Sequence, residues 1–193
     1  MTGEPIAVEH RHRPVYRVVR RNWTDPLDSS FSRLQTGNRW NTNDFPALYC
    51  CCSEMAARAV TLDVFRIAGV ELSDLRPQVR PQLVEIEWSG RVADMSSPEG
   101  VAAAQFPPEY PSGVDHRSTQ LAATDWHARG WEGVVCRSAS LGRLGFRDWT
   151  GMHERWGEVA IFVENAASPP ALLRRREDLD WFVLKARGAG RTD

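Results

Sequence analysis

Residues 37–49 read GNRWNTNDFPALY, and they combine the side chains of a nucleotide site with the pattern of a turn that enters a strand. Arg39 offers a guanidinium for a phosphate or carboxylate, Trp40 an aromatic face for a flat ring, and Gly37 close backbone approach. A Phe-Pro pair then leads into an apolar strand that ends at Tyr49. A second interpretation stays open, in which this is a surface loop whose Trp fills the core and whose Arg is solvated.

Length and composition are those of one ordinary globular domain. The chain has 193 residues, 42% hydrophobic and 25% charged, which suffices for one core and is far from a disordered composition. The formal net charge is -1, so the chain lacks the overall cationic surface of a nucleic-acid-binding protein. Basic residues cluster only locally, at 9–13, 20–21 and 174–176.

The sequence indicates a cytoplasmic protein without a metal. The N-terminus lacks the apolar stretch of a signal peptide, and no segment approaches the ~20 apolar residues of a membrane span. Three of the four cysteines are consecutive, at 50–52, and Cys136 is distant. Because adjacent strand residues point to opposite faces, this triplet suits neither a disulfide framework nor a zinc site. We expect buried thiols in a reducing compartment.

Hydrophobic periodicity predicts a single mixed α/β or α+β domain without repeats or a linker. A serine N-cap at Ser53 and a glycine stop at Gly69 bound the first predicted helix. The turn at Ser89-Gly90 predicts a hairpin between the strands on either side of it. The predicted strands are 15–20, 47–52, 81–88, 91–95, 133–137 and 158–164, and the predicted helices are 55–68 and 118–129.

The common catalytic signatures are missing from the sequence. It contains no Walker loop, GxGxxG, HExxH or GxSxG motif. His127 and His153 are isolated, and we interpret both as structural. Residues 153–158 bring an acid, a base and an indole together without metal spacing. At the end of the strand 133–136, the Ser138 hydroxyl could hold a substrate amide or ribose, or it could cap a turn.

Four segments occur in an order that resembles the RES domain family. They are Tyr16-Arg17 on the first strand, GNRWN at 37–41, FPALY at 45–49 and the helix after Ser53. Many members are toxins of bacterial toxin–antitoxin pairs that degrade NAD⁺. The resemblance implies a compact mixed-sheet domain over residues 1–186, similar to ADP-ribosyltransferases, with a flexible C-terminal tail at 187–193.

The resemblance also implies roles for individual residues. Arg17 and Arg39 match arginines that grip the pyrophosphate or ribose of NAD⁺, Tyr49 matches a site tyrosine, and Ser138 matches the serine after the late strand. The residues expected to bind NAD⁺ are Arg17, Arg39, Trp40, Tyr49 and Ser138. Those expected to take part in catalysis are Arg17, Asp63 and Ser138.

The chain departs from the family pattern at two positions. Arg137 stands where the family commonly has proline. The family glutamate lies on the helix after the tyrosine, where this sequence has VTL at 60–62 and then Asp63. Either Asp63 substitutes for it, or activity is reduced or changed, or another element supplies the acid. The candidates for that other acid are Glu54, Glu154 and Glu158.

These groups suit cleavage of the nicotinamide–ribose bond, whose transition state places positive charge on the ribose. A carboxylate can stabilise that charge while arginines fix the phosphates, and no metal is required. Water as acceptor would give a glycohydrolase, phosphate a phosphorylase, and a protein side chain an ADP-ribosyltransferase. A catalytically weak NAD-binding module is the further alternative.

The resemblance implies one protein partner, an Xre-type helix-turn-helix antitoxin that neutralises the toxin. Nucleic acid would then be contacted only through the antitoxin. A homodimer is possible, although no heptad pattern indicates one.

Overall fold

A computed structural model describes residues 3–10, 14–35, 38–144, 157–178 and 182. Its described part is built on one eight-stranded sheet with the strand order β1-β5-β6-β7-β3-β2-β4-β8. The strands are β1 (Ala7–His10), β2 (Val15–Arg20), β3 (Leu48–Cys51), β4 (Pro81–Glu87), β5 (Gly90–Met95), β6 (Gly133–Arg137), β7 (Gly157–Ile161) and β8 (Ala171–Arg176).

The sheet is mixed, as predicted. Strands β5 and β6 pair in parallel, and the other described neighbours pair antiparallel. A parallel pair needs a crossover connection, and here the chain between β5 and β6 contains the helices α2 (Pro98–Ala103) and α3 (His116–Ala128). The prediction of a mixed α/β domain is therefore confirmed.

Helix α1 (Glu54–Ala68) has the ends that the sequence predicts. The Ser53 hydroxyl accepts a hydrogen bond from the Ala56 amide over 3.1 Å, and Gly69 closes the helix with a left-handed φ of 62°. Helix α3 begins two residues before its prediction because the Asp115 carboxylate caps it, accepting from the Ser118 amide over 2.7 Å. Within the described residues, the remaining helical segments are α4 (Ala139–Arg143) and three 3-10 turns, Ser30–Leu34, Leu72–Asp74 and Pro77–Val79.

The two faces of the sheet have different coverings. On one face, which we call the helix face, buried residues of α1, α2 and α3 pack on the strands. On the other, the loop face, strand residues such as Val15, Leu48 and Val159 pack with Trp88 and loop residues. Since strand side chains alternate, consecutive residues of β3 and β7 belong to opposite faces. The four cysteines are buried.

The predicted hairpin between the fourth and fifth strands is wrong. Strand β4 pairs with β2 and β8, whereas β5 pairs with β1 and β6. The connecting Trp88 is buried in the loop-face core and stacks on His10, with ring centroids 5.8 Å apart. The chain therefore crosses the sheet at this point instead of turning back, and a Cβ on Gly90 would lie 2.5 Å from the Trp88 ring.

Some predictions lie wholly or partly outside the described residues. They concern the turn glycine Gly37, the segment 153–156 and the tail 187–193. Strands β1 and β8 have no counterpart among the strands predicted from the sequence. None of the helices in the described ranges is long and apolar enough to cross a membrane.

Candidate active site

A pocket of about 220 Å³ opens on the helix face of the sheet. Its walls come from the segment 38–40, strands β3, β6 and β7, the first residue of α3, and α4. Six of its polar side chains are Arg39, Tyr49, His116, Ser140, Arg143 and Glu158. Two cations and one carboxylate therefore border the same small space.

Tyr49 holds the loop that precedes it. Its hydroxyl donates to Asn41 Oδ1 over 2.8 Å and accepts from the Trp40 amide over 2.9 Å. The buried Asn41 amide in turn donates to the carbonyls of Ser32 and Thr42, each over 2.9 Å. Burial raises the pKa of Tyr49 above its ordinary value. The phenol is therefore neutral and engaged in shaping the pocket wall.

The Trp40 indole belongs to the core as much as to the pocket. It is only 1% exposed and stacks on Trp126, with ring centroids 5.7 Å apart. Its Nε1–H donates to Cys136 Sγ over 3.3 Å. This arrangement agrees with the second interpretation of the segment 37–49, in which the tryptophan fills the core. Burial raises the pKa of Cys136 to about 12, so the thiol at the pocket wall is neutral and a poor nucleophile.

Arg39 presents its guanidinium to the pocket beside Tyr110, Cys136 and Glu158. Burial lowers the pKa of Arg39, but these neighbours more than offset the effect, and the net pKa is raised. Arg39 is thus a permanent, partly buried cation, which suits the recognition of a phosphate.

Glu158 lies in the middle of the sheet, on β7. It is opposite Cys136 on β6 and Cys51 on β3, and it shares the helix face with Tyr49 and Ala160. Burial raises the pKa of Glu158, opposed by a hydrogen bond with Ser138 and by the charges of Arg39 and Arg143.

Asp63 does not line the pocket but lies behind it. Its carboxylate is 0% exposed and forms ion pairs with Arg66 (2.9 Å) and Arg143 (2.6 Å). Burial raises the pKa of Asp63, but hydrogen bonds with Arg143, Arg66 and Ser140 outweigh it, and the net pKa is lowered. Asp63 is therefore an ionised partner of the arginine that borders the pocket.

Ser138 is the N-cap of α4. Its buried hydroxyl accepts from the Leu141 amide over 3.3 Å and hydrogen-bonds with Glu158. Ser140, two residues later, is the serine that lines the pocket. The preceding Arg137, which stands in place of the family proline, is buried. Its guanidinium donates to the carbonyls of Ser96, Pro108 and Tyr110, each over 2.9 Å.

Arg17 lies on the loop face, away from the pocket. It stands opposite Val84 on β4 and alternates with Val15 and Val19, which belong to the loop-face core. Its Nη2 donates to the Asp28 carbonyl over 3.2 Å, and its guanidinium lies 5.7 Å from the centre of the Trp23 ring. The structure thus brings together Arg39, Tyr49 and the α4 serines, and it separates Arg17 from them.

Sequence reasoning did not single out Arg143 and named Glu158 only as an alternative acid. A signal for Glu158 was present, because a charged residue that belongs to an otherwise apolar strand is a candidate for a functional role. No comparable pattern marks Arg143, which reaches the pocket from the five-residue helix α4. Among the described residues, no group of three or more His, Cys, Asp and Glu side chains could hold a metal ion.

Comparison with known proteins defines the family. No curated protein matches the chain. A chain in the crystal structure of the M. tuberculosis MbcT-MbcA toxin–antitoxin complex is similar in fold, with a TM-score of 0.66 over 90% of this chain and 85% of that chain. The two are 17% identical, so that this likeness concerns the fold alone. The RES domain matches residues 14–180, and the chain therefore belongs to the RES domain family.

Proposed function

We propose that this RES domain consumes NAD⁺ by breaking the bond between nicotinamide and ribose. The observation that carries the proposal is the convergence of Arg39, Arg143 and Glu158 on one pocket. Guanidinium groups suit the pyrophosphate of a dinucleotide. A carboxylate suits the oxocarbenium-like charge that develops on ribose when a cationic pyridinium leaves.

The size of the pocket fits one end of the dinucleotide. Its volume of about 220 Å³ is below the ~300–1,000 Å³ of pockets that enclose a drug-sized ligand. Nicotinamide with its ribose would occupy it, and the Ser140 hydroxyl at its wall can hydrogen-bond with a ribose hydroxyl or the carboxamide. The pyrophosphate would then extend toward the guanidinium groups at the rim.

The test is to incubate the purified protein with NAD⁺ and to follow free nicotinamide by chromatography. Release in plain buffer supports a glycohydrolase, release that requires inorganic phosphate supports a phosphorylase, and release coupled to labelling of a protein supports an ADP-ribosyltransferase. Binding of NAD⁺ without release of nicotinamide would contradict the proposal and favour an NAD-binding module. The observation that favours this second candidate is that Asp63, the acid expected on α1, is occupied by ion pairs with Arg66 and Arg143.

We also propose that the chain is the toxin of a toxin–antitoxin pair and that it acts on cytoplasmic NAD⁺. Membership of the RES family and the fold shared with a chain of a toxin–antitoxin complex support this assignment. An enzyme that destroys the NAD⁺ of its own cell must be restrained, and an Xre-type antitoxin is the expected partner. Expression of the chain alone should arrest growth, and co-expression of the product of an adjacent small gene should restore it. Growth arrest with unchanged NAD⁺ would instead favour a transferase.

A further inference from the structure

The helix that carries the acid in this family does not deliver one to the pocket of this chain. Residues 60–62 are Val-Thr-Leu, and Asp63, the next residue, is held by Arg66 and Arg143 behind the pocket wall. Glu158 is the carboxylate that lines the pocket in the described part of the chain. We propose that Glu158, from strand β7, is the catalytic carboxylate of this protein. This inference rests on the proposed cleavage of NAD⁺.

The position of Glu158 in the sheet supports the assignment. β7 lies between β6 and β3, so Glu158 is flanked by backbone on both sides, opposite Cys136 and Cys51. A residue on a central strand is held more rigidly than one on a loop, and reacting groups need such precision. Tyr49 and Ala160 stand on the same face and form the adjacent floor of the pocket.

The charges around Glu158 distinguish it from Asp63. Glu158 is half-buried at the pocket wall and lies within the fields of Arg39 and Arg143, which also border the pocket. A ligand that places its phosphates on these two guanidiniums would therefore bring its ribose next to Glu158. Both oxygens of Asp63 already accept from arginines, which leaves this carboxylate to fix the position of Arg143.

The reaction assigned to Glu158 is a substitution at the anomeric carbon of ribose. The bond between that carbon and the pyridinium nitrogen breaks, and both of its electrons pass to the nitrogen, which leaves as neutral nicotinamide. The positive charge moves to the ribose carbon and ring oxygen, where ionised Glu158 stabilises it. Water then forms a new carbon–oxygen bond and loses one proton to solvent, so that the products are ADP-ribose, nicotinamide and a proton.

A comparison of three purified variants with wild type tests the assignment, with nicotinamide release and NAD⁺ binding by calorimetry as separate readouts. Glu158→Gln keeps the shape and removes the charge, and we expect a loss of kcat of at least about 100-fold with NAD⁺ affinity retained within about threefold. Asp63→Asn is expected to retain more activity than Glu158→Gln. Glu87→Gln, at the exposed end of β4, is the matched control and should behave like wild type.

A pH profile gives a readout that a structural role would not move. The charged and titratable groups around Glu158 are Arg39 from the loop, Arg143 from α4, Asp63 from α1 and, at the wall of the same pocket, His116 from α3. Burial raises the pKa of the neighbouring thiols of Cys136 and Cys51, which therefore stay neutral. Burial raises the pKa of Glu158, and only its ionised form stabilises the cation. The kcat of wild type should therefore fall as the pH decreases through that pKa, and Glu158→Gln should lose this acid limb.

The outcomes separate this inference from the proposed function. A wild-type protein that releases no nicotinamide overturns both. A wild-type protein that cleaves NAD⁺ while Glu158→Gln keeps its kcat within threefold overturns the assignment of Glu158 alone. If Glu158→Gln does not fold, as judged from its melting curve, Glu158→Asp replaces it. That variant keeps the charge one methylene farther from the ribose, and kcat equal to wild type would overturn the assignment.

Discussion

At the scale of single residues, Asp63 shows how an expected catalytic group can serve a neighbouring one. We predict that Asp63→Asn lowers the stability of folding by about 1–3 kcal/mol, because it leaves Arg143 and Arg66 without their anionic partner. The estimate lies below the ~3–5 kcal/mol for a broken buried pair because both arginines are about half exposed. Urea unfolding of the variant and wild type measures the difference.

The same carboxylate predicts a dependence of stability on pH. The pKa of Asp63 is lowered by folding, so its contribution is complete above the pKa of an unfolded aspartate, ~3.9. It is lost as the pH falls through the folded pKa. The stability difference between wild type and Asp63→Asn should therefore be constant from pH 5 to 7 and shrink in more acidic buffer. A difference that grows with acid would contradict the ion-pair description.

The Tyr49 hydroxyl has a comparable local role. Tyr49→Phe removes the group that joins the Trp40 amide to Asn41 Oδ1, and we predict a loss of about 1–3 kcal/mol. Combined with Asn41→Ala, it should be less costly than the sum of the two single changes, because both break the same network. Thermal unfolding of the four proteins measures this coupling. Additive effects would mean that the two residues act independently.

At the scale of elements, the N-terminal end of α1 depends on one hydroxyl. Ser53→Ala removes the acceptor for the Ala56 amide and should cost about 1 kcal/mol, the typical value of a lost N-cap. Ser73→Ala, an exposed position in the 3-10 turn Leu72–Asp74, is the matched control. The melting temperatures of Ser53→Ala and Ser73→Ala measure the difference. Equal values would show that the Ser53 cap contributes nothing to the stability of the fold.

Elements with local signals could be predicted from the sequence, and pairings between distant elements could not. The Ser53 cap and the Gly69 stop lie next to the helix that they bound, so both ends of α1 were predicted to within one residue. The Ser89-Gly90 turn is equally local, yet burial of Trp88 under the sheet directs the two strands to different partners. The parallel pairing of β5 with β6 likewise depends on how the crossover packs.

The same distinction between local and distant signals applies to the candidate site. Arg39 and Tyr49 belong to one contiguous motif, and the structure places both at the pocket. Arg143 and Glu158 reach it from α4 and β7, which are far from that motif in the sequence. Only the folded sheet shows that they meet. A family pattern that names residues by their order along the chain therefore says little about which face of a strand each one occupies.

At the scale of the whole molecule, the two faces of the sheet separate ligand chemistry from structural packing. The pocket with Arg39, Arg143 and Glu158 is on the helix face. The loop face is an apolar core, into whose edge Arg17 extends between valines of β2. Because a strand alternates, one register position is enough to place an arginine on either side.

The last prediction follows from this separation and compares the two arginines that the family resemblance treats alike. Arg39→Ala should weaken NAD⁺ binding by about 10–100-fold, since a charged hydrogen-bond donor at the pocket is worth about 1.5–3 kcal/mol. Arg17→Ala should instead lower the melting temperature, because it removes the bond to the Asp28 carbonyl and the contact with Trp23, and should leave NAD⁺ affinity within about twofold. Calorimetry gives the NAD⁺ affinity of each variant, and thermal unfolding gives its melting temperature. An equal loss of affinity in Arg17→Ala would place that arginine on the dinucleotide and contradict the division of the sheet into a binding face and a packing face.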